Sequence, residues 1–162
     1  MQITRAADYA VRVMIHLASQ PTSMPVRRPE IAKATDVPGS FLSKVLQHLV
    51  QGGLISSQRG SGGGYRLAVN PENISLLDVV EAVEGPTQLN VCLQPGPSCA
   101  RKSWCEAHVI WSDAQRALVK VLRATSIARL AKKSAEARAC HGRDRTHDEL
   151  KTVDLYGSSG TA

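Results

Sequence analysis

A run of glycines near the middle of the chain, Arg59-Gly60-Ser61-Gly62-Gly63-Gly64, limits the fold more than any other segment. Four of the five residues after Arg59 are glycine, and the flanking segments 54–58 and 65–69 have the composition of short β-strands. Asn70 and Pro71 end the second strand. A glycine-rich tip between two short strands predicts a β-hairpin.

Three helices are predicted before this hairpin. The first covers residues 3–19, with Thr4 as its cap, and the second covers residues 29–35. A tight turn over residues 36–39 leads to the third helix. The apolar face of that helix consists of Phe41, Leu42, Val45, Leu46 and Leu49. With a fourth helix over 74–83, the pattern predicts a mainly α fold with a β-hairpin wing, a winged helix-turn-helix, over residues 1–84.

Positive charge is concentrated in this part of the chain. Residues 1–70 contain 8 Lys and Arg against 3 Asp and Glu, whereas residues 71–162 contain 12 against 11. The charge alone is also compatible with a basic protein that binds no polyanion, but together with this fold it favours double-stranded DNA as the partner. The residues expected to contact DNA are Arg28, Pro38, Gly39, Ser40, Ser43, Lys44, His48, Arg59, Gly60 and Tyr65.

A long helix is predicted over residues 106–124 and a short one over 126–133. In the long helix, apolar residues recur at intervals of 4-3-4-3, which is the spacing of a coiled-coil seam. A helix packed on its own domain is the alternative, but small residues around one Trp favour a homodimer. The residues of this seam are Ala107, Trp111, Ala114, Leu118 and Val121. From residue 134 the chain is polar and charged, which predicts a disordered tail over 134–162.

Three of the four cysteines, Cys92, Cys99 and Cys105, lie in a loop over residues 85–105 that contains Pro and Gly. The sequence has neither a secretory signal at its start nor an apolar run long enough to cross a membrane, so a cytoplasmic protein is expected. Clustered thiols then indicate a metal or redox site. Their spacing leaves open an iron–sulfur cluster, a zinc site, a thiol–disulfide switch and inert thiols.

A fourth ligand would have to come from outside the three cysteines. The candidates are His108, one turn into the following helix, and Asp8 of another subunit. A thiol oxidoreductase is a remote alternative, because the chain has no C-x-x-C motif and no βαβ pattern. An enzyme is therefore not expected.

Several segments resemble one family, the Rrf2-type winged-helix repressors with their IscR-like and NsrR-like branches. They are residues 3–12, 54–60 with 62–65, 77–80, and the series from Cys92 through Cys99 to Cys105-Glu-Ala-His108, so that the resemblance spans about residues 1–133. It implies a homodimer on a pseudo-palindromic operator. It also implies one [2Fe-2S] or [4Fe-4S] cluster per subunit, held by the three loop cysteines, whose state alters DNA affinity.

The two branches of this family differ in the fourth ligand that they imply. Asp8 matches a ligand position of the nitric-oxide-sensing branch, where the ligand comes from the other subunit, and Cys105-x2-His108 matches the cluster-biogenesis branch. Because this sequence carries both, the fourth ligand and the cluster type stay open. The implied function is a repressor that senses nitric oxide, redox state or the supply of iron and clusters.

Overall fold

The computed structural model describes residues 3–21, 24–60, 62–94, 96 and 99–141. Within these residues the chain forms six helices, one two-stranded antiparallel sheet and two short 3-10 turns. The helices are α1 (Arg5–Ala18), α2 (Arg28–Thr35), α3 (Gly39–Gln51), α4 (Leu76–Glu84), α5 (Glu106–Arg123) and α6 (Ile127–His141). The strands are β1 (Ile55–Gln58) and β2 (Gly64–Leu67), and the 3-10 turns are Pro71–Asn73 and Val91–Leu93. The predicted mainly α fold with a hairpin wing is confirmed.

Helix α1 is the centre of the domain. Thr4 caps it as predicted, since its hydroxyl accepts a hydrogen bond from the Ala7 amide at 3.4 Å. The helix contacts α2, α3, α4 and α6, so its apolar side is enclosed by four other helices. The buried residues on that side are Ala7, Ala10, Val13, Met14 and Leu17.

Helices α2 and α3 form the helix-turn-helix. Helix α2 ends at Asp36, whose φ of 54° lies in the left-handed region, and the chain then turns through buried Val37 into α3. Helix α3 buries Leu42, Val45, Leu46 and Leu49. The assignment of Phe41 to this apolar face was wrong: its side chain is 45% exposed, because it lies in the first turn at the flank of the helix and not beneath it.

The wing is the hairpin of β1 and β2, in which Ile55 pairs with Leu67 and Gln58 with Gly64. A third segment joins it, because Val26 and Tyr65 exchange backbone hydrogen bonds of 2.8 and 2.9 Å. The chain before α2 thus fastens the wing to the helix-turn-helix. The sequence does not predict this pairing, because one valine alone does not make the alternating pattern of a strand.

Two backbone hydrogen bonds tie the start of α6 to the start of α4. The Leu76 amide donates to the Thr125 carbonyl and the Ile127 amide to the Ile74 carbonyl, both at 2.8 Å. Helix α6 continues to His141, so the predicted helix end at 133 and the disordered tail are wrong for residues 134–141. The segment Ala135-Glu136-Ala137-Arg138-Ala139 explains the extension, because alanine, glutamate and arginine favour helix even where they are exposed. Residues 142–162 of the predicted tail lie outside the described residues.

The segment between α4 and α5 was predicted to be a loop. It contains the 3-10 turn Val91–Leu93, which packs against α5. Among the described helices, none is both long and apolar enough to cross a membrane.

Candidate DNA interface and cysteine loop

The polar face of α3 is open along its first half. Ser40, Ser43 and Lys44 are all exposed, as are Pro38 and Gly39 before them. Pro38 is the N-cap and supplies no side-chain hydrogen bond to the helix end. Since the positive end of the helix macrodipole lies there without a capping side chain, this end favours an approaching phosphate.

Helix α2 contributes its first residue to the same surface. The Arg28 guanidinium donates a hydrogen bond to the Ser43 hydroxyl at 3.2 Å, and that hydroxyl in turn donates to the Gly39 carbonyl at 3.2 Å. The structure therefore brings together Arg28 and Ser43, which the sequence predicted separately as DNA contacts.

The wing presents Arg59 and Gly60 at its exposed tip. Gly60 has a φ of 107°, and its carbonyl accepts the Gly63 amide at 3.0 Å, which closes the turn. A Cβ on Gly63 would lie 2.3 Å from the Gln58 carbonyl oxygen, and one on Gly64 would lie 2.4 Å from that of Val26. These two glycines are thus required by close packing of the backbone.

Two predicted DNA contacts are less accessible than the others. Tyr65 is half-buried and packs at the edge of the core, next to the Val26 pairing. His48 is also half-buried, and its Nδ1 atom is buried without a hydrogen-bond partner among the described residues. The structure thus gives Tyr65 a role in packing the wing, and it leaves only part of the His48 ring open to a ligand.

Helix α5 has an inner and an outer side. Two residues hold its inner side against the domain. Leu122 is buried, and the side-chain oxygen of Gln115 accepts a hydrogen bond from the Leu89 amide at 3.1 Å. The predicted seam lies on the outer side: Ala107, Trp111, Ala114 and Val121 are exposed, and Leu118 is half-buried. Ile110, which was not predicted as a residue of the seam, is also exposed beside it. Ile110 follows Ala107 by three residues and precedes Ala114 by four, and this spacing would have predicted its place beside the seam.

The cysteine loop places two of its three thiols close to α5 in the fold. Cys92 lies in the 3-10 turn that packs against α5, and Cys105 is the N-cap of that helix; both are half-buried, whereas Cys99 is exposed. All three thiols are free, as is Cys140 on α6. In the described part of the chain, the structure does not gather three or more Cys, His, Asp or Glu side chains into a group that holds a metal.

The two candidates for a fourth ligand differ in their surroundings. His108 lies in the first turn of α5, where its amide donates to the Cys105 carbonyl at 3.0 Å, and its buried Nδ1 has no hydrogen-bond partner among the described residues. Asp8 is half-exposed on α1 and forms an ion pair with Arg12 at 2.7 Å. An imidazole nitrogen without a partner, on the residue three positions after Cys105, and three free thiols on the preceding loop are the donor types of an iron–sulfur or zinc site.

Comparison with known proteins gives consistent results. A family model described as Rrf2, iron-dependent transcriptional regulator, matches residues 3–133. Protein rrf2 of Nitratidesulfovibrio vulgaris is 31% identical over 130 residues, which are 80% of this chain and 87% of that protein. The HTH-type transcriptional regulator IscR of Escherichia coli is 30% identical over 152 residues, 94% of this chain and 93% of that one.

A solved structure extends the comparison to the fold. The structure of CymR, the global cysteine regulator of B. subtilis, is similar with a TM-score of 0.66 at 26% identity, covering 82% of this chain and 98% of that one. The matching proteins are transcriptional regulators, which confirms the expectation that this chain is not an enzyme.

Proposed function

The chain belongs to the Rrf2 family of transcriptional regulators, and from this premise we propose that it is a repressor whose affinity for DNA depends on the chemical state of its cysteine loop. The observation that carries the proposal is the arrangement of the loop. One end of it leaves α4 of the DNA-binding domain, and the other end starts α5 with Cys105. A change in the conformation of the loop therefore acts on both α4 and α5.

The DNA-binding part of the proposal rests on α3 and the wing. Ser40, Ser43 and Lys44 are exposed at the start of a helix suited to the major groove, and Arg59 is exposed at a glycine-rich wing tip, where an arginine suits the minor groove. Arg28 adds a positive charge beside Ser43. From this arrangement we infer regulation by binding to an operator, and we propose the cytoplasm as its location.

The dimer part rests on the exposed side of α5. Trp111 and Val121 would each cost free energy if they stayed in water, and burial against a second copy removes that cost. A two-fold dimer carries two copies of α3 and therefore matches a pseudo-palindromic operator.

The cysteine part rests on chemistry and position. We propose that Cys92, Cys99 and Cys105 hold an iron–sulfur cluster of the [2Fe-2S] or [4Fe-4S] type, one per subunit. We place His108 ahead of Asp8 of the other subunit as fourth ligand, because the His108 Nδ1 atom is orphaned whereas Asp8 has Arg12 as its partner. A bound cluster would supply a group that nitric oxide, oxidants or iron shortage modify or remove.

The loop can transmit its state through two hydrogen bonds. Before the cysteines, the Thr87 amide donates to the Glu81 side chain on α4 at 2.9 Å, and the Leu89 amide donates to Gln115 on α5 at 3.1 Å. Reordering of the loop breaks or strengthens these contacts, which changes how α4 and α5 are held. Since α4 packs against α1 and α3, the change reaches the DNA-binding surface.

A switch based on thiols is the second candidate. Cys99 is exposed and all three loop thiols are free, as disulfide formation requires, and one structural neighbour is described as a global cysteine regulator. In this version oxidation closes the loop without a cluster. Zinc bound by the three thiols and His108 is a variant of the same switch.

Anaerobic purification with assays for iron and acid-labile sulfide, followed by Mössbauer spectroscopy, distinguishes these candidates. The proposal predicts brown protein that contains both iron and sulfide, with visible absorption abolished in Cys92→Ala and kept in Cys140→Ala. Colourless protein without iron would exclude the cluster and leave the thiol or zinc switch. Chromatin capture of the bound sites then tests the regulator itself, and absence of enriched sites would contradict it.

A further inference from the structure

Phe41 keeps 45% of its surface exposed in the described part of the chain. It is the third residue of α3, although the other large apolar residues of this helix face the core. Its neighbours along the chain, Ser40 and Ser43, are exposed members of the polar face predicted to meet DNA. The apolar ring of Phe41 is thus exposed among the polar residues that are predicted to contact DNA.

The ring of Phe41 is held in place from behind. Its centroid lies 5.7 Å from that of Tyr9 on α1, in an edge-to-face arrangement with an interplanar angle of 70°. Tyr9 packs at the edge of the core, and the Arg12 guanidinium lies 5.7 Å from the centre of its ring. Asp8 in turn pairs with Arg12. The ring is therefore positioned before any ligand arrives, which lowers the entropic cost of binding through it.

We infer that Phe41 is a specificity-determining residue that contacts the 5-methyl group of a thymine in the major groove. The inference rests on the DNA-binding function and goes beyond it. A phenyl ring has no hydrogen-bond donor for a phosphate, and the thymine methyl is the apolar group that the major groove displays to such a ring. The position in the first turn of α3 places the ring where residues of a recognition helix meet base edges.

The test replaces the methyl group and leaves base pairing intact. A duplex selected by the wild-type protein from a randomised pool is resynthesised with each thymine in turn changed to deoxyuridine. We expect one thymine in each half of the operator to respond. Removal of each of these two methyl groups should lower wild-type affinity about fourfold, which corresponds to roughly 0.8 kcal/mol for one buried carbon. Phe41→Ala should bind the thymine and uracil duplexes equally, whereas Phe41→Leu should keep part of the preference.

A second readout does not depend on a variant. Phe41 is the only phenylalanine in the chain, so para-fluorophenylalanine gives a single fluorine resonance. This resonance should shift on binding the thymine duplex and shift less on binding the duplex with uracil at the identified position.

Three results would overturn the inference. The first is tight binding that no uracil substitution weakens, and the second is an equal loss of affinity in wild type and Phe41→Ala, because another residue would then sense the methyl. The third is a Phe41→Ala protein with an altered dimerisation constant and an unaltered response to uracil, which would place the ring in a subunit contact. If the wild-type protein selects no motif from the pool, the failure is that of the DNA-binding function itself.

Discussion

The Arg28 guanidinium and the Ser43 hydroxyl lie 3.2 Å apart, so the first turn of α2 is hydrogen-bonded to the recognition helix α3. Both residues are exposed, and the bond joins two helices whose relative placement decides how they meet DNA. Arg28 thus links the two helices in the free protein, and we propose that it binds a phosphate in the complex with DNA.

Arg28→Ala should weaken binding to all DNA sequences alike, because a side chain that binds a phosphate carries no base information. In a plot of log affinity against log salt concentration, the slope should decrease in magnitude by about 0.9 for each phosphate that the protein no longer neutralises. Lys133→Ala, which removes an exposed charge on α6, is the matched control and should leave the slope unchanged. An unchanged slope in Arg28→Ala would remove Arg28 from the interface.

Alanine at Gly64 should destabilise the wing, since its Cβ would lie 2.4 Å from the Val26 carbonyl oxygen. We expect the free energy of unfolding to fall by about 1–3 kcal/mol, as overpacking usually costs. Gly62→Ala is the control at the same hairpin tip, where an added Cβ meets no atom within 4 Å, and should change stability by less than about 0.5 kcal/mol. Urea unfolding measures the free energy of both variants. Equal effects would show that the backbone at Gly64 and Val26 can move apart to accommodate a Cβ.

Val121→Asp should convert a dimer into monomers, because it puts a charge into the seam of α5. Val109→Asp is a close control, since Val109 is on the same helix and 54% exposed, compared with 64% for Val121, but lies off the seam. Sedimentation equilibrium should show a weakened dimer for the first variant only. Dissociation by both, or by neither, would contradict the assignment of the interface.

Stability should decrease as the pH falls below about 6.5 because of His16. Burial lowers the pKa of this imidazole from its ordinary 6.5, the positive charge of Arg138 lowers it further, and Glu30 opposes them. The folded state then binds a proton less readily than the unfolded chain, so the stabilisation is complete above pH 6.5 and is lost as the pH falls towards the lowered value. His16→Gln should reduce this pH dependence in urea titrations, and an identical dependence would assign it to other groups.

The sequence predicts the local elements of this fold well because their signals are local. The Thr4 cap, the glycine-rich wing and the order of the helices depend on neighbouring residues, and the structure confirms them. The pairing of Val26 with Tyr65 was missed because it joins distant residues through the backbone alone. The polar end of α6 was wrongly predicted to be disordered, because its charged composition conceals the helix propensity of its alanines.

In the candidate site, too, local patterns were predicted from the sequence and properties that depend on tertiary packing were not. Spacing along α5 predicts which residues share its outer side, Ile110 included, but the pattern of α3 does not predict the exposure of Phe41, which depends on what packs beside it. The orphaned Nδ1 of His108 is likewise a tertiary property, because it depends on burial by other segments. These are the residues for which the structure adds most to the sequence.

The central claim, that the cysteine loop sets DNA affinity, is tested most directly by one anaerobic binding measurement. Wild-type protein and Cys92→Ala, both isolated without oxygen, are titrated against the same selected duplex, with Cys140→Ala as the control. We predict that Cys92→Ala differs from wild type by about 5–150-fold, the range of a coupling of roughly 1–3 kcal/mol, and that Cys140→Ala does not. Equal affinities of all three folded proteins would contradict the claim.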